Sequence, residues 1–480
     1  MERIANFING EYVSPNSGKY IDVFEPATGS AYASVPNSNL EDVNAAVKAA
    51  EKAWKNWSNT TPEDRSIIVH RIAGELESRL DEFAEYESRD TGKPLSQAVS
   101  VDIPRAIANF RFFSDSILNY KDETFDSTEY GHNTVSRQPL GVVGCISPWN
   151  LPLYLFSWKI APALVTGNCV VGKPSELTPY TAFKLGEICN KAGLPGGVLN
   201  IIQGLGMKAG SAITSHPKIK AISFTGGTKT GEIISKSAAP SFKKLSLELG
   251  GKNPNVIFAD CDFETMLATT IRSSFSNQGE ICLCGSRILI EQTIYDTFVQ
   301  EFVNRTKELK IGDPKEGDTN LGALISNEHL EKVLGYVDLA RNEGGKILYG
   351  GEKVQLNGRC SEGWFMSPTI IAGLAPGCRT NQEEIFGPVV SLIPFDTEYE
   401  AVEIANASKY GLSATIWTSD ITKANRIAEQ IDAGVIWINC WMIRDLRTPF
   451  GGMKNSGVGR EGGKEALDFF TEQKNICRIQ

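Results

Sequence analysis

The sequence predicts an α/β protein built on a doubly wound parallel sheet. From Gly141 onward, short apolar runs alternate with stretches of helical length. Those runs are continuously apolar rather than alternating, as strands covered on both faces must be. The length of 480 residues calls for at least two such units, because a single core does not keep growing over so long a chain.

In chain order, the first helix is expected to open at Ser38, which with Glu41 has capping-box spacing. Val43, Ala46, Val47, Ala50, Trp54 and Trp57 follow at helical intervals. A second helix begins at Thr61 as cap, with Pro62 in its first turn, and is expected to run to about Asp90. The parallel strands are then Val142–Ile146, Cys169–Val171, Val198–Ile202, Ala221–Phe224 and Leu245–Leu247. Between them lie helices over Leu153–Thr166, Tyr180–Ala192, Met207–Ser215 and Lys229–Ala238. A second set begins after Glu248, with strands at Asn255–Phe258 and Ile288–Ile290 and helices at Ile294–Lys310 and Leu330–Asn342, and continues to Val435–Asn439. Thr124–Gln138 and the tail Asn475–Gln480 are β-tolerant but cannot build a core alone, so both should pair with another part of the assembly.

Composition excludes several classes. A net charge of −9 and a pI near 5.3 argue against wholesale nucleic-acid binding. Gln138 to Trp158 carries no charge, but Pro139, Pro148, Asn150 and Pro152 break it and Lys159 closes it, so no continuous span of about 20 residues survives. Met1 to Tyr20 lacks a basic start followed by an apolar run, so no secretory signal is expected. Ten cysteines without regular spacing suit a reducing compartment, which makes the cytoplasm the expected location. Cys145, Cys169, Cys189 and Cys440 lie in apolar stretches and are read as core. Cys282-Leu283-Cys284 is too closely spaced for a zinc pair, so no metal is expected.

Cys282 is the residue that carries chemistry. It follows Asn277-Gln278-Gly279-Glu280-Ile281, downstream of Glu248 in Leu247-Glu248-Leu249-Gly250-Gly251-Lys252 and of Pro148-Trp149-Asn150. A thiolate can attack a carbonyl carbon, an amide side chain can hold the oxyanion, and a carboxylate can activate water to release the acyl group. Only His70, His132, His216 and His329 are present, none in a motif-like stretch, so a Cys-His hydrolase fits less well. Lys173-Pro174-Ser175-Glu176 follows the second parallel strand, where a lysine and a glutamate suit the hydroxyls of a ribose. The carboxylate would repel a 2′-phosphate and so favours NAD over NADP. Phe224-Thr225-Gly226-Gly227-Thr228-Lys229-Thr230-Gly231 joins the fourth strand to its helix and would let backbone N–H groups approach a pyrophosphate.

Taken together and in this order, these motifs resemble those of the NAD(P)-dependent aldehyde dehydrogenase superfamily over essentially the whole chain. Glu383-Glu384-Ile385-Phe386-Gly387-Pro388 and Pro449-Phe450-Gly451-Gly452 complete the set. The resemblance implies Cys282 as nucleophile, Glu248 as general base and Asn150 as oxyanion donor. It implies Lys173 and Glu176 at the adenosine ribose, Glu384 at the nicotinamide ribose and Phe386 near the nicotinamide ring. Trp149, Gly226, Gly227, Thr228 and Gly231 are grouped with them as cofactor-binding. It further implies a Rossmann-like NAD-binding domain over 1–118 and 140–248 and a second α/β catalytic domain over 249–465. A small β oligomerisation arm over 119–139 and 466–480 would build a homodimer or homotetramer. Glu280 stands where many relatives carry glutamine and should point away from the thiol.

Arg105 and Arg444 fall where this family lines its substrate tunnel, and a guanidinium presents paired donors to a carboxylate. The run Arg444-Asp445-Leu446-Arg447-Thr448-Pro449-Phe450-Gly451-Gly452 resembles dehydrogenases of 2-aminomuconic and 2-hydroxymuconic semialdehydes. Arg444 could instead pair with Asp445; Arg447 is read as structural. Betaine aldehyde oxidation competes, because Trp149, Trp158 and Trp441 could supply an aromatic box, although arginines would repel that cation. Trp158 is grouped with the arginines as substrate-binding. A general aliphatic aldehyde dehydrogenase and a non-catalytic binding protein on the same fold are the remaining alternatives.

Overall fold

In the computed structural model, which describes residues 1–479, two parallel sheets lie in sequence along the chain. The first is eight-stranded, and its centre is Lys244–Glu248, Ile219–Thr225, Val142–Ile146, Cys169–Lys173 and Leu199–Ile201, in that spatial order and all parallel. Val142–Ile146 and Cys169–Lys173 are buried at every residue, which explains their uninterrupted apolar sequence. Helices Pro152–Val165, Tyr180–Ala192 and Thr228–Ala238 connect them.

Numbered along the chain, these strands lie in the order 3-2-1-4-5. The order reverses between Val142–Ile146 and Ile219–Thr225, and such a switch point opens a crevice beyond the carboxyl ends of the two strands. The chain leaves the first of them into Pro148–Asn150 and the second into Gly226-Gly227. The fold therefore brings two of the singled-out motifs to one place.

The second sheet is seven-stranded, with Arg287–Glu291, Pro254–Ile257 and Ser413–Trp417 at its centre and Lys346–Tyr349 as its one antiparallel edge. Near the C-terminus the chain crosses back: Gly457–Val458 pairs antiparallel with Lys244–Glu248 of the first sheet. That return places Glu461 beside the first sheet. A third, antiparallel sheet joins Glu123–Ser127, Gly131–Pro139 and Thr471–Arg478 and stands away from both cores, with Phe125, Tyr130 and Ile476 exposed.

Several elements depart from the sequence expectation. The first helix is Leu40–Trp57, capped by Asn39 and Asp42 rather than by Ser38 and Glu41. Ser38 is buried and its hydroxyl is taken by the Asn6 side chain, so it cannot cap. The second helix stops at Glu77, and a separate helix runs over Leu80–Thr91. Arg79 leaves helical geometry between them (φ −123°, ψ 26°), and its guanidinium is held by Glu82 and Glu187. Met207–Ser215 opens as a π-turn over Gly206–Gly210. The terminal strand begins at Thr471 rather than Asn475, and Gln480 lies outside the described residues. The strands Asn6–Ile8 and Glu11–Val13, which extend the first sheet, were not anticipated. Cys440 is only half-buried, unlike Cys145, Cys169 and Cys189. No helix among the described residues is long and apolar enough to cross a membrane.

Candidate active site

Cys282 sits on a loop whose backbone is unusual. Asn277, Gln278 and Gly279 are consecutively left-handed, at φ 51°, 54° and 71°. For a non-glycine residue that geometry costs on the order of 1–3 kcal/mol and persists only where its surroundings enforce it. Here the Asn277 N–H donates to Gln97 Oε1 at 3.2 Å, and the Gln278 amide bonds Ala323 O and the Gly322 N–H, each at 3.2 Å. Downstream, Asn253 Nδ2 donates to the carbonyls of Cys282 and Cys284 at 2.7 and 2.9 Å. Both flanks of the nucleophile candidate are therefore tied to the scaffold.

Cys282 lines three cavities, two of which face each other across the sulfur. On one side a cleft of about 230 Å³ is bounded by Trp149, Asn150, Gly226, Gly227, Glu384 and Phe386. On the other, a narrow apolar cavity is bounded by Tyr154, Trp158, Glu248, Arg444, Phe450 and Glu461. A sulfur at this junction can touch one molecule in each. Burial, then the Glu384 and Glu248 carboxylates, push its thiol pKa up, with Arg444 opposing. The resting group is a neutral thiol.

Glu248 ends the strand Lys244–Glu248 and is 4 % exposed, with neither carboxylate oxygen hydrogen-bonded. Burial and then the neighbouring Glu461 push its pKa well above the usual carboxylate range, while Lys159, Arg444 and Arg460 oppose. A buried, unpartnered carboxylate of this kind is poised to take up a proton. Asn150 donates one Nδ2–H to Glu280 O at 2.9 Å. Its amide has a second N–H for an oxyanion. Glu280 points away from the thiol: its Oε1 accepts from the Ile325 N–H at 3.1 Å and lies 3.6 Å from His329 Nε2.

The cleft suits the nicotinamide end of a dinucleotide. Helix Thr228–Ala238 opens at Gly227, and the hydroxyls of Thr225 and Thr228 are buried there without partners. Glu384 is positioned by the Gly251 N–H at 3.0 Å, and Phe386 meets Trp149 edge-on at 5.3 Å. Lys173 and Glu176 lie further along the sheet edge and bind each other at 2.9 Å, Glu176 also accepting from the Gly206 N–H at 3.3 Å. Burial opposes ionisation of Glu176, but the Lys173 ammonium holds its carboxyl below the usual range. Gly231 packs against Leu249, whose side chain a Cβ would meet at 2.6 Å, and does not line the cleft.

Arg444 enters the second cavity, its Nη1 donating to Tyr154 Oη at 2.9 Å and its guanidinium lying 3.8 Å above Phe450 and 5.3 Å above Trp158. Asp445 does not hold it, being paired with Arg447 at 2.5 Å. Arg105 stands 5.8 Å over the Tyr154 ring but does not line the cavity. Trp441 is buried and donates to Leu283 O at 3.0 Å, so it supports the nucleophile loop instead of lining the cavity.

Sequence reasoning missed several residues. Lys159 is buried in the helix Pro152–Val165 and bonds Glu461 Oε1 at 2.6 Å and Ser223 Oγ at 3.2 Å, close to Glu248. Its signal was a single charge following twenty-one uncharged residues. His329 and Lys332 line the cleft, the His329 Nε2–H donating to Phe386 O at 2.6 Å. Burial lowers the His329 pKa to about 4, so the ring is neutral at ordinary pH. That bond helps hold Phe386 at φ 63°.

The pattern of the Aldehyde dehydrogenase family matches residues 12–476. The 2-aminomuconic semialdehyde dehydrogenase of Danio rerio is 50% identical over 476 residues, covering 98% of this chain and 97% of the relative. The 2-hydroxymuconic semialdehyde dehydrogenase of Pseudomonas sp. (strain CF600) is 46% identical over 483 residues, covering 99% of each. Among solved structures, the NAD+ complex of aldehyde dehydrogenase from Bacillus cereus superposes with a TM-score of 0.96 at 38% identity, covering 99% of this chain and 96% of that one.

Proposed function

This chain belongs to the aldehyde dehydrogenase family, and from that premise we propose that it oxidises a carboxylate-bearing semialdehyde, of the 2-aminomuconic or 2-hydroxymuconic kind, to the acid with NAD. Bound NAD supplies the hydride acceptor, and every other part falls to the chain's own residues. Cys282 Sγ loses its proton to solvent water and adds as thiolate to the aldehyde carbon, forming a thiohemiacetal oxyanion that the Asn150 amide and the Cys282 N–H stabilise. With a hydride acceptor in the cleft, collapse of that oxyanion would leave a thioester on Cys282. Glu248 removes a proton from water, the hydroxyl adds to the thioester carbon, the C–S bond breaks, and acid and thiol are freed. Glu384, Phe386, Trp149 and the Gly226-Gly227 turn would hold the nicotinamide half, and Lys173 with Glu176 the adenosine ribose. We assign the cofactor to 1–118 with 140–248, the chemistry to 249–465, and assembly as a homodimer or homotetramer to 119–139 with 466–480. The exposed Phe125, Tyr130 and Ile476 of the third sheet support that last assignment.

The single observation that carries the substrate class is Arg444. It is half-buried in the cavity beyond the thiol, its recorded polar partner there is a neutral hydroxyl, and its neighbouring aspartate is paired elsewhere. A guanidinium so placed offers donors to an anion arriving by the tunnel. It also covers the Trp158 and Phe450 faces that a quaternary ammonium would need, which disfavours betaine aldehyde. The test is steady-state kinetics with NAD on 2-hydroxymuconic semialdehyde, betaine aldehyde and a plain aliphatic aldehyde, for wild type and Arg444→Ala. The acidic substrate should lose about 2–5 kcal/mol in kcat/KM, and the neutral one little. An unchanged ratio between them would remove the arginine assignment.

The pH dependence should follow Glu248. Its raised pKa leaves the carboxyl protonated at acid pH, and the base form appears only as pH rises through that value. Thioester hydrolysis should therefore accelerate with pH, with a midpoint well above the ordinary carboxylate range. Single-turnover hydrolysis of a preformed acyl-enzyme, measured across pH, reads this limb directly. A rate flat from acid to neutral pH would contradict it.

A further inference from the structure

We infer that Lys93 is a positioning residue for the oxyanion site: with Asp102 and Asn277 it fixes the loop that carries Asn150 against the loop that carries Cys282. This rests on the reading of Asn150 given above. Lys93 follows Gly92, whose left-handed φ of 78° ends the helix Leu80–Thr91 and turns the chain inward. Its ammonium is fully buried and donates to Asp102 Oδ2 at 2.6 Å and to the Asn150 backbone carbonyl at 3.0 Å. Glu87, also fully buried, lies 3.9 Å from the same ammonium, and its Oε2 faces the Leu153 N–H at 3.5 Å.

Asn277 closes the arrangement from the other loop. Its Nδ2 donates to Asn150 O at 3.3 Å and to Glu280 O at 3.2 Å, the carbonyl that also receives the Asn150 side chain. Three donors therefore converge on two carbonyls, one from each loop. Gln97, four residues after Lys93, receives the Asn277 N–H at 3.2 Å. The segment then passes through a π-turn, Ala98–Asp102, into the helix bearing Arg105. Such π-turns recur at functional sites. One short stretch thus touches the oxyanion loop, the nucleophile loop and the start of an arginine-bearing helix, with a buried cation as its hub. A buried ion pair is weak evidence for stability, and Asp102 Oδ1 has no partner, so the ammonium's contribution to geometry lies in its direct bond to Asn150 O. The side chain of Asn150 can aim at an oxyanion only if its backbone is held, and Lys93 holds it together with Asn277.

The experiment compares Lys93→Met, the charge-neutral pair Lys93→Met/Asp102→Leu, Asn277→Ala and the reference Asn150→Ala in the NAD-loaded full-length enzyme. The readouts are the rate constant of the NADH burst, NAD affinity, and the rate of Cys282 alkylation by iodoacetamide. The paired variant and Asn277→Ala are included because Lys93→Met alone strands the Asp102 carboxylate. The expected result is a burst rate lowered at least about tenfold in the Lys93 and Asn277 variants, with NAD affinity and alkylation kept within about twofold. A merely structural loss would move all three readouts together, and that outcome overturns the inference. A wild-type burst rate in the folded paired variant and in Asn277→Ala overturns it too. If Asn150→Ala loses its burst while the Lys93 variants keep theirs, only this inference fails. If Asn150→Ala itself keeps the burst, the oxyanion reading fails with it.

Discussion

Replacing Glu248 by Gln should leave one rapid burst of NADH per site, followed by a steady rate lower by roughly 10²–10⁴-fold, the usual worth of a general base. The substitution is nearly isosteric, and the carboxylate makes no hydrogen bonds that the amide would forfeit. Acylation needs the sulfur, the oxyanion donors and the cofactor, none of which is Glu248. The thiol can lose its proton to solvent before it adds, whereas the attack of water on the thioester needs a base beside the carbon as the bond forms. Stopped-flow absorbance of NADH separates the two phases, and the acyl-enzyme should be visible by intact mass. A second consequence follows from the electrostatics. The Glu248 carboxylate is one of the charges pushing the Cys282 thiol up, so the amide should shift iodoacetamide alkylation to lower pH. Full steady-state turnover in Glu248→Gln would mean that another group activates water, and Glu461 would be the first to examine.

Much of the fold was legible because the first sheet is buried on both faces. A strand such as Val142–Ile146 has no polar position to confuse it with a helix or a loop, and its turn-rich flanks mark its length. The expected α/β class follows from that repetition alone. What local pattern could not show was pairing at long range. Asn6–Ile8 and Glu11–Val13 are too short and too mixed to announce themselves; pairing of the first with Leu199–Ile201, and of the second with the first, makes them strands. The break at Arg79 was equally hidden, because the side chain there is held partly by Glu187, more than a hundred positions away. At Asn39, the cap was decided by Asn6 withdrawing Ser38 from competition, again a distant event.

The site divides along the same line. Residues at strand ends, such as Glu248 and the Gly226-Gly227 turn, were readable because the topology sends strand ends to one edge of the sheet, where they line the two cavities that meet at Cys282. Lys159 and Lys93 were not, because a buried lysine looks like any surface lysine until its partners Glu461 and Asp102 are seen. Gly231 shows the converse: a glycine in a phosphate-like motif that makes room for Leu249. Motifs and the resemblance they carry named the candidate reacting groups, while the groups that orient them came only from three-dimensional contact.

Replacing Cys282 by Ser should lower turnover by roughly 10⁴–10⁶-fold, as loss of a catalytic nucleophile does elsewhere, and should abolish the burst as well. The reason is chemical, not steric. A thiol already pushed up by burial and two carboxylates still ionises more readily than an alcohol in the same surroundings, and a serine adduct would be an ester rather than a reactive thioester. NAD should bind the variant within about twofold of wild type, since the sulfur is one wall of the cleft and Glu384, Phe386 and the glycine turn are unchanged. The pair of measurements is diagnostic: fluorescence titration with NAD for the cleft, and single-turnover NADH formation for the chemistry. Cys284 supplies the control. It is buried two positions away, with its carbonyl bonded to Asn253, and Cys284→Ser should retain the burst. A surviving burst in Cys282→Ser would remove the covalent mechanism at its first step, whatever the fate of Glu248.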